Sequence, residues 1–95
     1  MTKRLAGKVA LVTGGGRGLG RGIAEGLAAE GANVVVNYVK DAGPAEAVVA
    51  KVKGLGADAV AVQADVGDEH AVQGMVDTGL EAFGKIDILV NNAGF

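Results

Sequence analysis

Four short apolar runs recur along the 95-residue chain, and three of them lead into stretches whose small and apolar residues fall at helical spacing. This alternation constrains the fold more than any other feature of the sequence. Lys8 to Thr13 (KVALVT), Asn33 to Tyr38 (NVVVNY), Ala59 to Ala64 (AVAVQA) and Ile86 to Val90 (IDILV) read as strands. The first two show no polar alternation, so burial on both faces is expected. Between the strands, Gly20, Ile23, Ala24, Leu27 and Ala28 share one helix face. Ala45, Val48, Val49 and Val52 share a second, and Val72, Met75, Val76, Gly79 and Phe83 a third. Gly31, Gly54 with Gly56, and Gly84 stand where these helices should stop. Lys40 to Pro44 reads as a loop with Pro44 in the first turn of the second helix. Asp65 to Asp68 reads as a turn, with Gly67 or Asp68 capping the third. The order is β-α-β-α-β-α-β, and strands joined through helices pair in parallel with right-handed crossovers. Gly74 and Gly79 fall inside the third helix, where each costs about 1 kcal/mol relative to Ala. Close packing on the sheet accounts for Gly79, and Gly74 is simply tolerated.

Ninety-five residues suffice for one small domain with a thin core. With 49% hydrophobic residues and 3% aromatic, that core must be built from Val, Leu, Ile and Ala. Net charge is -2, and the nine Lys and Arg are scattered from Lys3 to Lys85, so no basic stripe exists to follow a nucleic acid. The absence of Cys excludes disulfides and thiolate metal sites, and no metal site is expected. No apolar run approaches the ~20 residues of a membrane helix. The residues after Met1 are polar and basic, unlike a signal-peptide core. The expectation is a soluble cytoplasmic protein with no membrane or nucleic-acid partner.

Thr13 to Gly22 reads TGGGRGLGRG, with six glycines in ten residues, at the junction of the first strand and first helix. Glycine permits positive φ in a tight turn and lets backbone N–H groups approach an anion without an intervening Cβ. The helix N-terminus adds unpaired donors and a partial positive charge. A plain turn needs one glycine; Gly14, Gly15, Gly16, Gly18 and Gly20 together point to a bound pyrophosphate. The G-x-G-x-x-G fingerprint is absent, since Leu19 and Arg21 occupy places it requires, and no G-K-[ST] follows to make a P-loop. Gly14, Gly16 and Gly18 also fit the G-x-G-x-G turn of nucleoside-binding methyltransferases, although Thr13 stands where those carry an acid.

The spacing Thr13-Gly14, three residues, Gly18-Leu19-Gly20 resembles the T-G-x-x-x-G-x-G turn of the short-chain dehydrogenase/reductase family. Asp65-Val66 after the third strand and Asn91-Asn92-Ala93-Gly94 after the fourth match two further motifs of that family. The nearest likeness is to its 3-oxoacyl-(acyl carrier protein) reductase type. The resemblance covers the whole chain but only the cofactor-binding half of the family fold. It implies an α/β, Rossmann-like doubly wound parallel sheet, partial, with strand order 3-2-1-4, and residues 1–95 as a truncated dinucleotide-binding half. It also implies that the turn around Gly14, Gly16, Arg17, Gly18, Leu19 and Gly20 holds the pyrophosphate. Asp65 would accept from the adenine amino group with the Val66 amide beside it. Asn91 would tie the central strands, Ala93-Gly94 would line the nicotinamide-side ribose, and Thr13 would bond across to the same strand end.

NAD users place an acid near the end of the second strand to bond the ribose 2′-OH. Here that place holds Asn37 and Tyr38, and the first acid is Asp41, in the loop. Arg17 within the glycine turn, with Lys40 nearby, suits a 2′-phosphate, so NADP is expected in preference to NAD. By resemblance the parent protein is an oxidoreductase transferring hydride between NADP(H) and a carbonyl or alcohol. Its substrate would be a small carbonyl compound or acyl thioester, including 3-oxoacyl thioesters, and its full-length form a homo-oligomer. The family's catalytic Ser and Tyr-x-x-x-Lys have no counterpart, for the chain has no Ser, and Lys40 lies two residues beyond its only Tyr, Tyr38. No catalytic residue is therefore assigned. The alternative is a binding module that holds a dinucleotide without chemistry. The fourth strand is expected to present an unpaired apolar edge.

Overall fold

Runs of valine favour the extended backbone, because a β-branched side chain packs well on a pleated surface and poorly against a helical turn. The computed structural model describes residues 4–14, 16 and 18–92. It places strands β1 at Val9–Val12, β2 at Asn33–Tyr38, β3 at Ala59–Gln63 and β4 at Ile88–Val90. Helices α1 (Gly18–Ala29), α2 (Ala42–Gly54) and α3 (Glu69–Phe83) join them in turn. All pairings are parallel and the sheet order is β3-β2-β1-β4, as expected.

Successive strand residues face opposite sides, and each side has its own core. Val12, Val34 and Val36 pack with Ala24 and Ala28 of α1 and Ala45, Val48 and Val52 of α2. Val9, Leu11 and Val35 face the other way and meet Met75 of α3. β1 is buried along its whole length and β2 through its centre, as the unbroken apolar runs predict. A Cβ on Gly79 would come within 3.1 Å of Val35 Cγ2 and 3.3 Å of Ile86 Cδ1, which bears out the close helix–sheet contact there. Gly74 faces open space.

The helix stops fall where glycine permits a left-handed backbone: Gly31 has φ 101°, Gly56 94° and Gly84 81°. Asp68, not Gly67, caps α3, accepting from His70 N at 2.9 Å. α2 begins at Ala42, earlier than a loop through Pro44 allows, because Asp41 caps it and accepts from Gly43 N at 3.1 Å. β4 begins at Ile88 and not Ile86. Before it, Asp87 N donates to Val9 O at 2.8 Å, and the Asp87 carboxylate accepts from Val9 N at 2.9 Å. A side chain thus stands in for a ladder partner at the start of β1. β4 forms one edge of the described sheet. Its Leu89 lies in register with Leu11, on the face that α3 covers over β3 and β2, and remains 68% exposed.

Candidate functional site

The chain leaves β1 through α1 toward β2, and returns from β3 through α3 to the opposite side of β1. The C-terminal ends of β1 and β4 are therefore adjacent while their connections diverge, which is where open α/β sheets form a ligand crevice. Thr13 joins the two ends. Its N–H donates to Val90 O at 3.0 Å, continuing the ladder. Its hydroxyl accepts from Asn92 N at 2.9 Å and lies 3.3 Å from both Val90 O and Asn91 Oδ1 as a donor. The Asn92 bond is the strong member of this set, since 3.3 Å is long for an O–H donor.

Four glycines behind Thr13 differ in what they accommodate. Gly14 and Gly18 carry positive φ, 60° and 51°. A Cβ on Gly18 would project into open space at the start of α1, leaving the helix N-terminus accessible. Gly20, within the first turn of α1, has no room for a Cβ, which would collide with Gly14 O and with Asn92 Nδ2. Gly16 is pressed against α2, where an added Cβ would lie 2.9 Å from Ala45 N. The first turn of α1 has no acidic residue, whereas α2 and α3 are headed by Asp41 and Asp68. The N-terminal donors of α1 thus keep their attraction for an anion. Leu19 is 74% exposed beside them.

A cavity of about 600 Å³ opens between this turn and the end of β2, lined by Gly14 and Gly16 on one side and residues 37–41 with Pro44 on the other. Tyr38 and Lys40 thus face the crevice wall where sequence spacing placed them. Asp41 is in the wall too, but its carboxylate is engaged as the α2 cap. Asn37 is fully buried. Its Oδ1 accepts from Gly14 N at 3.1 Å and its Nδ2 donates to Ala64 O at 3.0 Å, with Val62 O and Tyr38 O farther off at 3.4 Å. Asp65 and Val66 follow the end of β3 and are not among the cavity's lining residues. Asp65 Oδ1 accepts from Gly67 N at 2.9 Å, closing the turn before α3. Arg17, Ala93 and Gly94 lie outside the described residues.

The structure thus gathers Thr13, Gly14, Gly20, Asn91 and Asn92 at one point and sets Tyr38 and Lys40 across the cavity. Sequence reading missed the role of Asp41 as a cap and the whole of Asp87. The backbone N–H of Val9, with Lys85 Nζ at 3.2 Å, holds the Asp87 carboxyl below its ordinary range. That residue stands at the far end of the sheet and serves the fold. Among the described residues, no cluster of His, Asp or Glu could hold a metal, and no helix is long and apolar enough to cross a membrane.

Comparison with known proteins agrees with this geometry. The family model described as short chain dehydrogenase matches residues 8–95. Versicolorin reductase stcU of Emericella nidulans is 54% identical over 91 residues, covering 96% of this chain and 34% of that protein. The 3-oxoacyl-[acyl-carrier-protein] reductase FabG of Staphylococcus aureus is 52% identical over 87 residues, covering 92% of this chain and 35% of its own length. A crystal structure of a short chain dehydrogenase from Burkholderia cenocepacia J2315 in complex with NADP superposes with a TM-score of 0.93 at 58% identity, covering 97% of this chain and 38% of that one. The chain spans about a third of the length of the curated relatives it matches. With its Rossmann-like sheet, its glycine turn and its strand-end asparagines, the chain belongs to the short-chain dehydrogenase family.

Proposed function

We propose that these residues hold NADP(H) for an oxidoreductase that moves hydride between the cofactor and a carbonyl or alcohol. The observation that carries this reading is the accessible start of α1, with open space at Gly18, beside the β1–β4 end that Thr13 ties together. A pyrophosphate fits there: it would meet the amides of Gly18, Leu19 and Gly20, with Gly14 and Gly16 shaping the turn. The adenine would rest toward Asp65 and Val66, and the nicotinamide-side ribose toward Asn91, Ala93 and Gly94. When bound, the nicotinamide ring supplies the hydride chemistry.

The preference for NADP rests on the wall opposite the turn. Tyr38 and Lys40 line it, and the one acid there, Asp41, already caps α2. A ribose 2′-phosphate would find the cation of Lys40 and no uncommitted carboxylate to repel it, and Arg17 is the second cation that the sequence offers. The NADP complex of the Burkholderia cenocepacia relative favours the same choice.

The 95 residues contain no Ser and no Tyr-x-x-x-Lys. The proposal therefore gives them the holding of the cofactor and assigns proton transfer to none of them. It extends to a cytoplasmic, homo-oligomeric parent acting on a small carbonyl compound or an acyl thioester. Substrate chemistry among relatives varies, from a versicolorin reductase to a 3-oxoacyl thioester reductase. NADPH oxidation with a 3-oxoacyl thioester tests the activity. Saturable NADPH binding without turnover would leave a binding module, and no binding would refute the proposal.

A further inference from the structure

Asn37 lines the cavity, but its side-chain amide is bonded to the protein's own backbone. Its side chain is 0% exposed, and both ends of its amide are spent on backbone. The partners fix the orientation: Gly14 N–H can only donate and Ala64 C=O can only accept, so only an amide pointing one way satisfies both. No side chain of similar size does so, because a carboxylate lacks the donor and an aliphatic group lacks both. The two partners lie 23 and 27 residues away along the chain, on opposite sides of β2. Gly14 begins the turn after β1, and Ala64 immediately precedes Asp65 at the end of β3. Ala64 N also donates to Tyr38 O at 2.9 Å, so the β3 end is held to β2 from both sides.

We infer that Asn37 is a positioning residue whose buried amide sets the spacing between the glycine turn at Gly14 and the β3 end at Ala64–Asp65. The inference rests on the dinucleotide reading of the crevice. A dinucleotide must satisfy the pyrophosphate rest at the turn and the adenine rest beyond β3 at once. A ligand joined across two sites benefits from both only when their spacing matches its own length. Asn37 supplies that match through Gly14 and Ala64.

The test compares a long probe with a short one. NADPH spans both rests, whereas adenosine 2′-monophosphate reaches only the adenine side. Asn37→Ala loses the acceptor for Gly14 N and the donor for Ala64 O without adding a charge that the 2′-phosphate of either probe would feel. Binding is measured per folded protein, with the folded fraction taken from circular dichroism. The expected result is NADPH affinity about tenfold weaker in Asn37→Ala, and adenosine 2′-monophosphate affinity within about twofold of wild type. Equal weakening of both probes, or unchanged NADPH affinity, would overturn the positioning role. Wild-type protein that binds neither probe would overturn the dinucleotide reading itself. Amide exchange in the unsubstituted, ligand-free protein gives a readout that needs no variant: Gly14 N–H should be protected, and fast exchange there would refute the link.

Discussion

The hydroxyl of Thr13 accepts a hydrogen bond from Asn92 N across the gap between β1 and β4, at 2.9 Å, although the two residues are 79 positions apart. Thr13 is 5% exposed and Asn92 is half-buried, so removing that oxygen breaks a partly shielded link between the strand ends. Thr13→Val, which keeps the shape, should lower unfolding free energy by about 1–3 kcal/mol, and Thr13→Ser should recover most of it. Urea unfolding of the three proteins measures this. Equal stability of Thr13→Val and wild type would show that the oxygen does not join the strand ends.

The glycines of the turn should separate stability from binding. Gly16→Ala forces a Cβ against the backbone of Ala45, and neither helix nor turn can yield by a side-chain rotation. It should cost about 1–3 kcal/mol of stability. Gly18→Ala meets no atom but occupies a left-handed backbone, which costs about 1 kcal/mol. Its methyl would stand in the space assigned to the pyrophosphate. Gly18→Ala should therefore be the milder change in urea and the more damaging one in NADPH titration.

Acid should weaken the fold through Asp87. Its carboxyl is held below the ordinary value of 3.8, first by the Val9 N–H and then by Lys85. A depressed carboxyl contributes stability that is fully present above pH 3.8 and is lost as pH falls through the lower folded-state value. Asp87→Asn should be less stable than wild type at neutral pH, and the difference should shrink below pH 3.8. Thermal unfolding across that range reads the effect, and a constant difference would contradict it.

Cofactor choice should follow the charge of the wall facing the turn. Lys40→Glu should weaken NADPH about tenfold and leave NADH within about twofold, because only NADPH carries the 2′-phosphate. Asp41→Ala should instead lower stability by about 1 kcal/mol, as a lost helix cap does, and leave NADPH no weaker. Competitive titrations with the two cofactors distinguish the roles.

Element order, strand order and helix ends were legible because their causes are local. Valine runs make strands, and Gly31, Gly56 and Gly84 permit the left-handed stops. The start of α2 was less so, since Pro44 marks a first turn and Asp41 sets where that turn begins. Asp87 gave no signal at all: its meaning depends on Val9, 78 residues away. Asn37 is read from the sequence as a cofactor-binding residue at the end of the second strand, and it does line the cavity. Only the fold shows its amide bonded to backbone, because Gly14, just past β1, and Ala64, just past β3, come together through β2. Arg17, Ala93 and Gly94, read as cofactor contacts, lie outside the described residues.

The most direct test of the central claim is a backbone amide NMR titration with NADPH. The account predicts saturable shifts at Gly14, Gly18, Leu19, Gly20, Asn91 and Asn92, with Gln73 and Asp77 on the exposed side of α3 unmoved. Absence of shifts at the glycine turn, or shifts confined to the α2–β3 groove around Glu46, Lys53 and Ala61, would contradict it.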